Sequence, residues 1–300
     1  MASSSPSPSH PALDSQAIGL LNALGCFTLW GSFPLYFKLL QHVPALEVLA
    51  HRVLGSAVLL LALILTWGQW PALLAEFRNR RRLGFYLLTA LLISGNWLLY
   101  IWAVQMGRIL EASLGYYINP LVNVLLGMLF LGERLNSRQL LAVLIAAMGV
   151  LVLVIGHGVF PWISLTLAFS FGSYGLLRKK AGHAPTLGLC VETVLIAPIA
   201  LLFLVAQGGG ALGRVDGHTD MLLLGAGLVT VIPLLMFLQA TQRLRLSTVG
   251  LIQYLTPTLQ FLLAVAVYRE PFTGIDQTAF GCIWLALALY SVDAWFGHRR

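Results

Sequence analysis

Apolar residues along this chain come in long blocks rather than in alternation. Windows of about 18–22 residues with no charge, or with one, recur from Ala17 to Phe296. Each matches the roughly 20 helical residues that cross a ~30 Å hydrocarbon core. The blocks predict ten membrane helices, at about 17–37, 45–66, 83–104, 110–130, 138–155, 160–177, 186–206, 219–240, 248–268 and 276–296. A transmembrane barrel would show alternating segments of ~10 residues, and the sequence has none. Residues 1–15, MASSSPSPSHPALDS, are rich in Ser and Pro without an apolar run and predict a disordered tail. The first block lacks the basic start of a secretory leader and is long enough to span, so it is expected to remain as a helix. The expected fold class is an all-α polytopic membrane protein.

The blocks repeat. FGSYGLLRKK lies 141 residues after WGSFPLYFKL, aligning Gly31 with Gly172, Ser32 with Ser173 and Lys38 with Lys179. An offset of 137 aligns Arg108 with Arg245, Tyr116 with Gln253, Pro120 with Pro257, Asn123 with Gln260 and Glu133 with Glu270. The reading is therefore a tail (1–15) and two five-helix units, 16–157 and 158–297. Five is odd, so the second unit enters the membrane inverted relative to the first. Inverted repeats with interrupted helices at matching places mark secondary transporters.

Charge then fixes the orientation. Hydrophobic residues make up 58% of the chain and charged ones only 10%, against about 25% charged in soluble domains. With the N-terminus inside, thirteen Lys and Arg fall in cytoplasmic segments, near 78–82, 134–138, 178–180, 243–245 and 299–300. Four (Lys38, Arg108, Arg214 and Arg269) fall outside. That bias predicts cytoplasmic N- and C-termini, and it makes the net charge of +7 a topology signal with no nucleic-acid partner implied. Cys26, Cys190 and Cys282 sit far apart inside apolar blocks, so neither a disulfide framework nor a zinc site is expected. No GxxxxGK[ST] or HExxH motif is present. No cofactor, metal or catalytic residue is expected.

Polar groups inside spans persist mainly where they face a cavity or a partner. In the fourth span Tyr116, Asn119 and Asn123 form one stripe, and Gln253, Thr256 and Gln260 repeat it in the ninth. Pro120 and Pro257 are expected to break both helices beside these stripes. Asn96 and Tyr100 share an edge of the third span, with Trp97 placed to stack on a planar solute. In the second span Glu47 and His51 are one turn apart and candidates for a proton relay, or a structural pair. Arg52 beside them is a candidate anion contact, or a snorkelling side chain. Glu192 is the only ionisable group in its span and is expected to stand without a charged partner, hence a further proton-coupling candidate, or a structural hydrogen bond from a protonated carboxyl. Glu111 at the start of the fourth span serves equally as helix cap or coupling group, and Lys38 is open in the same way. Ala142, Ala146 and Gly149 give the fifth span a small-residue face for internal packing or a homodimer contact.

The segments LAHRVLGS, NWLLYIWAV, GRILEASLGYYINPLVNVLLGMLFLGERL, YGLLRK, the Glu-Thr pair at 192–193 and LSTVGLIQYLTPTLQFLLAV together resemble the RarD branch of the EamA drug/metabolite transporter superfamily. The resemblance runs from residue 17 to 297. It implies ten helices in two inverted EamA repeats, a bacterial inner membrane, and export or exchange of small metabolites or drugs. The expected partners are the lipid bilayer and a small-molecule solute, moved by alternating access with or without proton coupling. Two other classes stay open: a non-transporting membrane scaffold or sensor, and an intramembrane enzyme, for which no nucleophile–base pair is evident.

Overall fold

The computed structural model describes residues 15–105, 109–157, 162–266 and 273–297. Over these the chain is helical throughout, with no strand. The first half holds α1 (Ser15–Leu39), α2 (Ala45–Thr66), α3 (Trp70–Arg78), α4 (Arg80–Gln105), α5 (Ile109–Leu131) and α6 (Ser137–His157). The second holds α7 (Trp162–Ala181), α8 (Pro185–Ala206), α9 (Gly217–Arg243), α10 (Leu246–Ile252), α11 (Leu255–Ala266) and α12 (Gly274–Gly297). By length and composition α1, α2, α4, α6, α8 and α9 can each cross a membrane. Their outward faces carry large apolar side chains such as Leu202 and Leu224, 69% and 68% exposed. Such a continuous apolar surface needs lipid to cover it. The chain is a multi-pass membrane protein.

Three local features depart from the sequence expectation. α3 is an added helix: WPALLAEFR is too short for a spanning window, but it opens at Pro71 and buries Leu73. α4 begins at Arg80, earlier than expected, because the Asn79 side chain accepts the Arg82 N–H at 3.1 Å and caps it. The break expected at Pro257 is present: the expected ninth span is two helices, α10 and α11, joined by a turn at Gln253 and Tyr254. Pro257 has no N–H to offer the Gln253 carbonyl, so the chain restarts as a new helix. Pro120 was expected to interrupt its helix likewise, yet α5 runs through it to Leu131. One lost hydrogen bond is tolerated there because α10 braces the site. A Cβ on Gly250 would stand 2.7 Å from the Pro120 carbonyl oxygen, so only glycine lets the two backbones approach. The tail 1–14, Arg108, Arg269, Glu270, Arg299 and Arg300 lie outside the described residues.

Packing places the helices around a common centre. α2 lies against α8 and α9, α1 against α9 and α11, and α4 against α7 and α8. α5 meets α7 and α10, while α6 and α12 pair at the edge. The small-residue face of α6 is filled internally: Ala142 and Ala146 are fully buried, and a Cβ on Gly149 would stand 2.9 Å from the Ala279 carbonyl oxygen of α12. α2 and α9 touch backbone to backbone, since a Cβ on Gly55 would meet the Gly227 Cα at 3.1 Å. After α5, Gly132 takes φ +65°, which turns Glu133 back toward α10. The Glu133 carboxylate there accepts the Leu246 N–H at 2.6 Å, and the Ser247 N–H and hydroxyl at 2.9 and 2.5 Å. It caps the helix start across the two halves.

Candidate functional site

Six segments converge on one cavity. α1 supplies Trp30, Phe33 and Phe37; α2 Arg52; α4 Asn96, Trp97 and Tyr100; and α5 Gly115, Tyr116 and Asn119. α7 adds Leu167 and Phe171, and the α10–α11 unit adds Gln253, Thr256 and Gln260. The space free of protein atoms is about 830 Å³, open solvent at the mouth included.

Local bonds hold the lining in place. Asn96 Nδ2 donates to the Leu167 carbonyl and to Ser170 Oγ, both at 2.8 Å, tying α4 to α7. The Tyr100 and Tyr116 rings meet edge to face at 5.7 Å. Thr256 Oγ1 donates to the Phe27 carbonyl at 2.9 Å, and Gln260 Nε2 reaches the Trp30 carbonyl at 3.4 Å. That carbonyl lies four residues before Pro34, whose missing N–H leaves it an acceptor without a helical donor. The Asn119 amide faces the cavity, and its Oδ1 has no hydrogen-bond partner among the described residues.

Arg52 is the cavity's cation. It is 6% exposed, and its Nε donates to Thr230 Oγ1 of α9 at 2.9 Å. The Thr230 hydroxyl in turn donates to the Ala226 carbonyl at 2.8 Å, which fixes its lone pairs toward Arg52. The Arg52 Cζ lies 4.7 Å from the Trp97 ring centroid and 5.4 Å from that of Phe37. No carboxylate pairs with it among the described residues.

Beyond Trp30 the cavity is closed by aromatic packing. Trp30 and Phe171, aligned by the 141-residue offset, meet edge-on at 5.6 Å. Phe237 lies tilted against Phe171 at 5.0 Å and Phe27 against Trp30 at 5.7 Å.

Of the residues expected to bind solute, Arg52, Asn96, Trp97, Tyr100, Tyr116, Asn119, Gln253 and Gln260 all line this cavity. Asn123 does not. It is fully buried behind the wall, where its Nδ2 donates to Gln253 Oε1 at 2.8 Å and joins the two polar stripes directly. The eighth expected span, α9, stands behind the lining and reaches the site through Thr230, while α1 and α7 line it directly. Sequence reasoning missed Trp30, Phe33, Phe37 and Phe171. Their signal was the repeated WGSF and FGSY segments, which mark where the two halves meet.

The coupling candidates fall elsewhere. His51 Nε2 and Glu47 Oε1 are 3.9 Å apart, beyond hydrogen-bond reach. Glu47 instead accepts the Ala211 N–H of the α8–α9 connection, packed against Gly210, whose φ of +71° and missing side chain admit it. Neither lines the cavity. Glu192 is not unpaired as expected: Arg178 Nη1 lies 3.5 Å from its Oε1. Thr89 donates to the same oxygen at 2.5 Å and Tyr174 to Oε2 at 3.1 Å. The counter-charge comes from the end of α7, where Arg178, counted by sequence among the loop charges, turns inward to 2% exposure. Lys179 donates to the Thr241 carbonyl at 2.7 Å and to that of Leu244, closing the end of α9. The side chains of Glu111 and Lys38 lie outside the described residues. Among the described residues no group of His, Cys, Asp or Glu could hold a metal.

Comparison with known proteins gives a consistent answer. Residues 17–155 and 161–292 each match the model of the EamA-like transporter family. The chain is 46% identical to "Protein RarD" of Salmonella typhi over 94% of its length and 97% of the relative's. It is 46% identical to "Uncharacterized transporter YojE" of Bacillus subtilis, covering 91% and 93%. It is 33% identical to "Chloramphenicol-sensitive protein RarD" of Pseudomonas aeruginosa, covering 92% and 94%. A solved crystal structure superposes with a TM-score of 0.72 at 19% identity, over 93% of this chain and 97% of that one, which shows a shared fold.

Proposed function

The chain belongs to the EamA-like transporter family, as its RarD-type relatives do, and we propose that it is a secondary transporter of small organic metabolites or drugs. The observation that carries the reading is the cavity: polar and aromatic side chains from both halves surround solute-sized space that an aromatic layer closes on one side. A purely structural scaffold has no need of such a space. Alternating access would relax that layer and close the mouth.

We read ten membrane passages in two inverted units, α10 and α11 counting as one passage and α3 lying along the surface. The packing supports this. Exchanging α1 with α7, α2 with α8, α4 with α9, α5 with α10–α11, and α6 with α12 turns each principal contact into another. The α1–α9 contact becomes α7–α4, and α5–α7 becomes α11–α1. Both termini are placed in the cytoplasm of a bacterial plasma membrane, which sets the cavity mouth at the external side, where α4 leads into α5.

Counterflow in proteoliposomes tests the reading. Vesicles preloaded with extract of cells lacking the protein should accumulate labelled solute only when the chain is present. Solutes missing from the medium of those cells identify the cargo. If no solute changes in either assay, the transporter reading fails. For coupling, the Arg178 partner of Glu192 and the position of His51 outside the cavity favour a cycle without a proton bound beside the solute. Flux should then respond little to an imposed pH gradient, and a strong response would restore the proton relay.

A further inference from the structure

Arg52 is buried in the cavity wall without a counter-ion among the described residues, which is the costliest state for a charge in a membrane interior. The described carboxylates are committed elsewhere: Glu47 to the Ala211 N–H, Glu76 to Arg82, Glu133 to α10, Glu192 to Arg178, Asp216 to Thr219 and Asp220 to the Gly213 N–H. Thr230 fixes the Nε side of the guanidinium, and the rings of Trp97 and Phe37 lie against it. A ring on its face leaves the in-plane N–H edge free, and that edge pairs bidentately with a carboxylate. Among the described residues no acidic side chain lines the same space, so none of them competes for the guanidinium or repels an anion. The remaining wall is aromatic and amide-bearing, with Tyr100 and Tyr116 beside Asn96 and Asn119.

Resting on the transport reading above, we propose that this cavity takes a small organic monoanion: a carboxylate held by Arg52, with a planar apolar body lying against Trp97, Tyr100 and Tyr116. The solute supplies the charge that the protein leaves out. A neutral solute of the same shape fills the space but leaves the guanidinium unpaired. A cationic one is repelled.

Matched probes on the purified full-length chain in detergent test this, with thermal unfolding and tryptophan fluorescence as readouts. Phenylacetate should bind on the order of 10-fold or more tightly than phenylacetamide, the margin of a charge-assisted hydrogen bond, and phenethylamine should not bind. Arg52→Gln should abolish the preference between acid and amide. Arg52→Lys, which keeps the charge and loses the fork, should retain a reduced preference, and it also separates charge recognition from misfolding. Equal binding of acid and amide, no binding of phenylacetate or indole-3-acetate, or an undiminished preference in Arg52→Gln would overturn the proposal. Counterflow separates this outcome from the transport reading. Flux of the amide but not the acid removes the anion assignment and leaves transport standing. Acid binding without flux of any solute leaves the anion site standing and removes transport.

Discussion

The charges of Arg178 and Glu192 are each tolerable in the interior only because the other is present. Both are 2% exposed, and Thr89 and Tyr174 supply the carboxylate's remaining bonds. Glu192→Leu should therefore cost about 3–5 kcal/mol, because it strands the guanidinium, whereas adding Arg178→Met should recover most of that. Thermal unfolding of the two single variants and the double variant measures the coupling, and additive losses would mean the pair is not a unit. The sequence showed Glu192 but not its partner, since pairing depends on which helices become neighbours and on how far an arginine reaches back along its own. Arg52 was legible for the opposite reason: a lone cation within a span announces itself whatever surrounds it. Outside the membrane, Asp216 accepts the Thr219 N–H and hydroxyl, both at 2.8 Å, and these bonds hold its pKa below the ordinary carboxylate value. The folded state thus prefers the charged form. Its contribution is complete above the unfolded carboxylate's value of about 3.9 and is lost as pH falls through the lower folded value. The protection factor of the Thr219 amide should drop as pH falls below about 4, and Asp216→Asn should remove that dependence.

At the scale of elements, the α2–α9 crossing decides where the cavity's cation stands. Arg52 and Thr230 meet only because Gly55 and Gly227 let the backbones touch, and a Cβ on Gly227 would stand 2.8 Å from the Ser56 amide nitrogen. Gly227→Ala should cost about 1–3 kcal/mol by overpacking and weaken solute binding by parting Arg52 from Thr230. Gly225→Ala on the same helix meets nothing within 4 Å and should be neutral or slightly stabilising. Melting temperatures of the two variants make the comparison; equal losses would show that helix propensity rather than the crossing is felt. Long apolar blocks placed the spans well, because bilayer thickness dictates their length. What they could not carry was α3, too short to register, and the different fates of the two prolines. Pro257 sits beside a turn, while Pro120 lies under Gly250 of a helix more than a hundred residues away, and only the packed pair shows why one helix breaks and the other does not.

For the whole molecule, an unpaired arginine in the moving cavity has a consequence for the transport cycle. With a monoanion bound, the site is neutral, and turning it from one membrane face to the other carries no net charge. Empty, the same turn leaves Arg52 uncompensated while an aromatic layer that holds no counter-charge opens beside it. A cation in a span costs about 2.5–3.5 kcal/mol on the insertion scale, which corresponds to slowing the empty return on the order of 100-fold. Exchange of one anion for another should then outrun net efflux by that ratio. Exchange should also ignore an imposed membrane potential, while net efflux should change with it, since each charge moved is worth about 2.3 kcal/mol per 100 mV. Proteoliposomes loaded with phenylacetate measure both, with phenylacetate present or absent outside. Arg52→Gln should bring the two rates together by removing the charge that penalises the empty carrier. If wild-type efflux into solute-free buffer is as fast as exchange, the buried cation does not control the return step, and the solute's charge must be balanced by another group.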